Sequence, residues 1–142
     1  MPCPFFLPLR RVDESARWEH APRWPLIDLY FGVCRARRGE VIEADESIQR
    51  DLCNCGYARG RCDRFPDDTA PDAVRFSVVS EAEGALTIIW VVEREHSPVE
   101  HRELEYSVAA GAFVEPTASD ILLAQARAFV ESYLRLRSHK PC

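Results

Sequence analysis

The sequence predicts an α+β protein, in which an antiparallel β-meander of three to four strands is packed by a C-terminal helix and preceded by a loop-rich, cysteine-bearing N-terminal lobe. Three observations carry that expectation. Apolar residues alternate through 74–108 with the period of strands. An apolar stripe of helical period runs through 122–133. Five of the ten prolines fall in the first 25 residues, and five of the six cysteines lie between residues 3 and 62. A chain of 142 residues is about one domain long, so residues 1–142 are read as a single domain, with a lobe over 1–72 and a regular part over 73–142.

Prolines at 2, 4, 8, 22 and 25 argue against helix in the first segment, and each also pushes its preceding residue toward an extended conformation. Leu26–Ala36 reads as extended, interrupted by Gly32. Asp45 stands at an N-cap position before Glu46–Leu52, Glu46 suits the positive end of a helix dipole, and Gly56 can close the turn. On that short helix Ile48, Leu52 and Cys55 would share one face. Residues 57–72, rich in Arg, Asp and Pro, read as loop.

From Ala73 the pattern becomes regular. Val74, Phe76 and Val78 alternate with Arg75, Ser77 and Val79, as in a half-buried strand. Glu81–Gly84 reads as a turn. Leu86–Val92 is β-branched and apolar on both faces, the pattern of a central strand. Arg102–Val108 alternates again, and Ala112–Val114 offers a short fourth strand. The last helix is expected from Ser119 or Thr117 as cap to about Arg137. Leu122, Ala126, Phe129, Val130 and Tyr133 form its apolar stripe, and Arg127, Glu131 and Arg135 sit opposite.

The formal charge is −5 and unevenly spread: residues 1–66 carry a net +1 and residues 67–142 a net −6. An acidic chain lacks the basic footprint on which non-specific nucleic-acid binding depends. The longest apolar run, Ala85–Val92, is too short to span a bilayer. Met1–Pro8 is apolar but carries three prolines and no basic leader, so it does not read as a signal peptide. A cytoplasmic protein is expected, with no membrane association.

Six cysteines in such a chain call for an explanation. They are Cys3, Cys34, Cys53, Cys55, Cys62 and Cys142. A lobe with little periodic core needs a staple, and a reducing compartment disfavours disulfides, so a metal site is the better reading. The densest stretch is Cys53-Asn54-Cys55-Gly56-Tyr57-Ala58-Arg59-Gly60-Arg61-Cys62. Structural zinc sites usually draw on C-x2–4-C pairs, and no C-x-x-C occurs; nor is there the C-x2-C-x2-C run of bacterial ferredoxins. Four singly placed thiols remain, Cys3, Cys34, one of Cys53 and Cys55, and Cys62. An all-sulfur set from distant segments suits a 4Fe-4S iron–sulfur cluster, which is large enough for ligands to converge on it from several directions. Cys53 is preferred, because Cys55 on the apolar face of the short helix reads as a small core hydrophobe. Phe5, Phe6, Tyr30, Phe31, Tyr57 and Phe65 would supply an aromatic shell. Cys142 reads as a spare terminal thiol.

Other constellations are weaker. His96 and His101 in Glu95–His101 do not match H-E-x-x-H, and Pro98 stands between them, so a solvated hairpin loop is the reading. His20 and His139 are isolated. Trp18, Trp24 and Trp90 read as packing residues. Arg59, Arg61 and Arg64 with Tyr57 would suit a phosphate backbone, or else support the cysteine site. Gly-rich phosphate loops and a G-x-S-x-G elbow are absent.

The expectation is therefore an iron–sulfur protein without catalysis of its own. It would be an electron carrier, or an accessory subunit whose 4Fe-4S cluster is structural, bound by Cys3, Cys34, Cys53 and Cys62. A protein redox partner or a larger complex would go with it. The alternatives are a structural-zinc interaction module and a nucleic-acid-associated module using the arginines around Cys62.

Overall fold

The computed structural model describes residues 2–12, 26–27, 29–36, 40–66, 70–115 and 119–138. Residues 73–113 form one antiparallel sheet whose four strands are ordered as in the sequence. Its strands are β3 (Ala73–Ala82), β4 (Ala85–Arg94), β5 (Ser97–Ser107) and β6 (Ala112–Phe113). Two-residue turns make the first two hairpins. Glu83 and Gly84 both have positive φ (51° and 78°), as do Glu95 and His96 (52° and 64°). That is the backbone of the turn whose twist matches a right-handed β-ribbon. Period-two alternation then sorts the faces. Val74 and Phe76, with Leu86, Ile88 and Trp90, Leu104 and Tyr106, and Phe113, are buried on one side, and the register places Phe76 opposite Trp90 and Ile88 opposite Leu104.

The helix α2 (Asp120–Ser138) covers that side. Ser119 caps it, its Oγ accepting the Leu122 N–H at 3.2 Å; Thr117, the other candidate, lies outside the described residues. Ala126, Phe129 and Val130 are buried, and the Phe129 ring stacks on Phe76 at 5.7 Å between centroids. Among the described residues no helix is long and apolar enough to cross a membrane.

The N-terminal lobe departs from expectation in two places. The proline-rich start is not irregular: β1 (Phe6–Arg11) pairs antiparallel with β2 (Tyr30–Cys34) as a separate two-stranded ribbon. Pro8 is tolerated there because the register shifts between Pro8 and Arg10, and proline survives in sheets at edges and bulges. Gly32 permits the close approach: a Cβ at that position would sit 2.1 Å from the Leu7 carbonyl oxygen. The second departure is the short helix. α1 (Glu46–Ile48) passes at once into a π-turn, Gln49–Cys53, and Asp45 makes no side-chain cap bond. The wider turn breaks the i, i+4, i+7 spacing. Ile48 packs against the main core, whereas Cys55 packs beside Val12 and Leu29 in a small second cluster.

One main core joins the two parts. It unites Cys3, Phe6, Leu26, Tyr30 and Cys53 of the lobe with the inner face of the sheet and the buried face of α2. Cys142, His20, His139, Trp18 and Trp24 lie outside the described residues.

Candidate metal centre

Four separate segments carry the cysteines, and specific backbone bonds draw them together. Cys3 precedes a turn whose closing bond runs from the Phe6 N–H to the Cys3 carbonyl (3.0 Å); the Cys3 N–H donates to the Cys53 carbonyl (2.9 Å). Cys34 ends β2 opposite Phe6 and exchanges backbone bonds with Ile42 (2.6 and 3.0 Å). The Arg35 N–H binds the Phe5 carbonyl at 2.9 Å, so Cys34 and the Cys3 turn are neighbours through their adjoining residues. Cys62 stands in a turn, its N–H on the Ala58 carbonyl (2.8 Å) and its carbonyl receiving the Phe65 N–H (3.2 Å). The Phe65 ring meets Phe5 edge-on at 5.5 Å, which brings the Cys62 loop against the Cys3 turn.

The electrostatics of the thiols report the same neighbourhood. Burial pushes the Cys3 thiol up to about 12; an amide bond from Phe5 opposes this, and negative charge on Cys34 and Cys62 adds to it. Cys53 is likewise pushed up to about 12, first by burial and then by Cys3, Cys34 and Cys62, with Arg64 pulling the other way. The thiol of Cys55 is raised by burial as well, but its charged neighbours are the N-terminus, Asp51 and Arg61. Cys3, Cys34, Cys53 and Cys62 therefore form one electrostatic group, and Cys55 stands apart, its Sγ directed at the Arg50 carbonyl (3.4 Å). All five described cysteines are free thiols, with Cys3 and Cys53 buried and Cys34 and Cys62 half-buried. Among the described residues, no three His, Cys, Asp or Glu side chains are grouped to hold a metal ion as they stand.

Three buried amide side chains position this group, and none was signalled by the sequence patterns. Gln49 accepts the Gly32 N–H on Oε1 (2.9 Å) and donates from Nε2 to the Ala44 carbonyl (2.7 Å). Asn54 accepts the Tyr30 N–H on Oδ1 (3.0 Å) and donates from Nδ2 to the carbonyls of Tyr30 (3.0 Å) and Gln49 (2.8 Å). Together they fasten the π-turn that carries Cys53 along the strand that carries Cys34. Gln125 of α2, fully buried, donates from Nε2 to the carbonyls of Cys3 (2.7 Å) and Phe6 (2.8 Å). Gln49 and Asn54, with both ends of the amide bonded to backbone groups, and Gln125, through its amide nitrogen, pin the backbone at these points. Only Asn54, between Cys53 and Cys55, stands beside cysteines in the sequence, and that position does not separate a buried amide from a solvated one.

The loop that carries Cys62 is held from behind. The guanidinium of Arg59 lies over the Phe65 ring (4.8 Å) and donates to Asp72 (3.0 Å) and to the carbonyls of Pro66 (3.2 Å) and Ala70 (2.6 Å). Asp72 also accepts the Glu95 N–H (2.8 Å). Burial would push its carboxyl up, but the Glu95 amide and Arg59 hold it below the ordinary value. The Tyr57 hydroxyl donates to Glu93 (2.7 Å) and accepts the His96 N–H (3.0 Å), and the His96 ring stacks on Tyr57 at 4.3 Å. His96 sits at the exposed tip of the β4–β5 hairpin and His101 on exposed β5, as a solvated hairpin requires. Arg61 is exposed and Arg64 half-buried.

Chemically, the donor set is sulfur alone. The Ala36 N–H reaches the Cys34 Sγ at 3.4 Å. Buried neutral thiols become thiolates only when a compensating positive charge arrives, which is how metal binding and proton release are coupled. Comparison with known protein families, with curated proteins and with solved structures finds no match to the chain.

Proposed function

We propose that this chain is a small iron–sulfur protein of the cytosol, in which Cys3, Cys34, Cys53 and Cys62 hold a 4Fe-4S cluster. The observation that carries the reading is the convergence of four cysteine-bearing segments through the Cys3–Cys53, Phe5–Arg35 and Phe5–Phe65 contacts. Four thiols and no nitrogen or oxygen donor is the ligand chemistry of iron–sulfur clusters and of all-cysteine zinc sites. The scatter of four thiols over distant segments, with no C-x2–4-C pair among them, favours the first.

A bound cluster of this kind exchanges one electron, or simply staples the lobe. The chain's residues support both uses. Cys3 and Cys53 are buried in the core against which Phe5 and Phe65 pack, and Arg59 is engaged internally, as a structural staple requires. Cys34 and Cys62 are half-buried, and Cys62 adjoins exposed Arg61 in the chain, where an acidic redox partner or a larger complex would dock. The nucleic-acid alternative loses Arg59, because its guanidinium is spent on Asp72, Pro66 and Ala70.

Anaerobic purification with iron and sulfide analysis tests the proposal. About four irons and four sulfides per chain, lost in Cys53→Ser and kept in Cys55→Ser, are the expected result. One tightly held zinc, or no metal at all, overturns it. Reversible one-electron reduction with the fold intact would then assign the carrier role; a cluster silent across the physiological range would assign the structural one.

A further inference from the structure

A hollow of about 430 Å³ opens where the inner face of the sheet runs past the first turn of α2. Period two fixes which strand residues belong to it. On β5 the inner positions run Glu100, Arg102, Leu104 and Tyr106, opposite Val92, Trp90, Ile88 and Leu86 of β4. Leu104 and Tyr106 are buried in the core shared with α2, whereas Glu100 and Arg102 are exposed. Five apolar residues of the lining are half-buried: Pro4, Phe5, Pro71, Val92 and Leu122. They keep accessible surface of their own, so a guest touches them directly.

The mouth is polar. Glu100 and Arg102, alternate residues on one strand face, are 55% and 58% exposed and hold each other at 3.9 Å. So loose and exposed an ion pair contributes little, and it opens at small cost to a guest that engages both charges. Ser119 is the other exposed polar residue of the lining. Its Oγ accepts the Leu122 N–H at 3.2 Å, and its O–H remains a donor. Among the described residues the lining thus holds one cation and one anion, side by side in reach of solvent and backed by apolar surface. Such a rim discriminates by sign. A carboxylate alone gains Arg102 but meets Glu100, an amine alone gains Glu100 but meets Arg102, and an uncharged molecule uses neither. A molecule with both charges close together and an apolar group behind them satisfies the whole surface.

We infer that this hollow binds a free α-amino acid with an apolar side chain. Arg102 and the Ser119 hydroxyl donate to its carboxylate, Glu100 accepts from its ammonium, and its side chain lies against Phe5, Val92 and Leu122. The zwitterion stays at the exposed mouth, which keeps its desolvation small, and the volume lies within the range of small-molecule sites. The inference uses no cysteine and does not rest on the metal reading.

The full chain, purified anaerobically and assayed for metal in the same sample, is titrated with L-phenylalanine by calorimetry and by NMR of the backbone amides. The comparison ligands are phenylpropionate, which lacks the ammonium, phenethylamine, which lacks the carboxylate, and glycine, which lacks the side chain. Saturable binding of phenylalanine is expected, with amide shifts gathered at Phe5, Val92, Arg102 and Leu122 and each comparison ligand at least about tenfold weaker. Arg102→Gln and Glu100→Gln, both at exposed positions, each weaken phenylalanine about tenfold. Glu103→Gln, on the outer face of the same strand, leaves its binding unchanged. Amides unmoved up to the solubility limit of phenylalanine overturn the proposal. So does phenylpropionate or phenethylamine binding as tightly as phenylalanine, or an equal loss in Glu103→Gln, since either would reduce the site to an apolar gap in a charged surface. Because iron is measured on the same sample, its absence counts against the cluster alone and leaves this result standing.

Discussion

The sheet with α2 and the N-terminal lobe are built on opposite principles. Residues 73–138 hold together through repetition: two tight hairpins, alternating inner residues and one apolar helix face, in which most contacts are local or between neighbouring strands. The described residues of 2–66 have one short ribbon, the single turn of α1 and a π-turn, and they are organised by individual polar side chains, namely Gln49, Asn54 and Arg59, and by Gln125 reaching in from the helix. A repetitive region tolerates the loss of any one contact. A region organised by single side chains does not, and five of the six cysteines lie in that second region. A lobe of this kind gains most from a metal, since joining segments 3, 34, 53 and 62 closes long loops.

The contrast predicts a ranked set of outcomes. On the metal reading proposed above, metal removal has the largest effect: the lobe becomes protease-sensitive across residues 2–66 while Ala73–Ser138 stays protected, because metal-binding energy would be expressed as folding energy of the lobe. Limited proteolysis with mass spectrometry checks this, and equal resistance of both regions would break the comparison. Next comes Gln125→Leu, which strips the amide donor from the Cys3 and Phe6 carbonyls. A destabilisation of about 2–4 kcal/mol is expected in urea unfolding, with amide exchange quickening around β1 before the sheet; a uniform change would mean that the helix, not the lobe, depends on Gln125.

A third outcome is set by pH. The Tyr57 hydroxyl is raised from 10 to about 12, first by burial and then by its bond to Glu93. A group whose folded pKa is raised contributes stability that is fully present below its unfolded value and lost as pH climbs through the folded one. The contact between loop and hairpin therefore weakens between pH 10 and 12. Tyr57→Phe flattens that alkaline decline in thermal unfolding, and an unchanged slope refutes the assignment. The smallest effect is that of Cys55→Ala: about 1 kcal/mol or less, with metal content unchanged, against complete metal loss in Cys53→Ser.

The same contrast explains what was legible in the sequence. Period-two alternation at Val74, Phe76 and Val78, and helical spacing at Leu122, Ala126 and Phe129, name both an element and its buried face, so the sheet and α2 were readable at once. β1 was not, because Pro8 signals a break and only its register shift against Gly32 makes it compatible with a strand. The π-turn was hidden for a related reason, since one widened turn leaves no compositional mark yet moves Cys55 into a different cluster from Ile48. Cys3, Cys34, Cys53 and Cys62 were legible as a set of thiols, but the residues that bring them together were not. Gln49, Asn54 and Gln125 look solvent-facing until the backbone groups they bind are known. Arg59 was assigned to a phosphate or to the cysteines, and it closes a loop on Asp72 instead.

The bond from Gln125 to the Cys3 carbonyl spans 122 positions of sequence, and this has a consequence for the order of events during synthesis. At about 5–20 residues per second, many seconds separate the appearance of Cys3 from that of the side chain that fixes its turn. During that interval the thiols at positions 3, 34, 53 and 62 are all made, while the helix that closes over the lobe is not. The ribosome-bound chain thus presents an open, thiol-rich segment, and the burial that suppresses thiolate formation is imposed only at the end. On the metal reading proposed above, loading would be easiest on the nascent or newly released chain, before α2 arrives to close over the lobe.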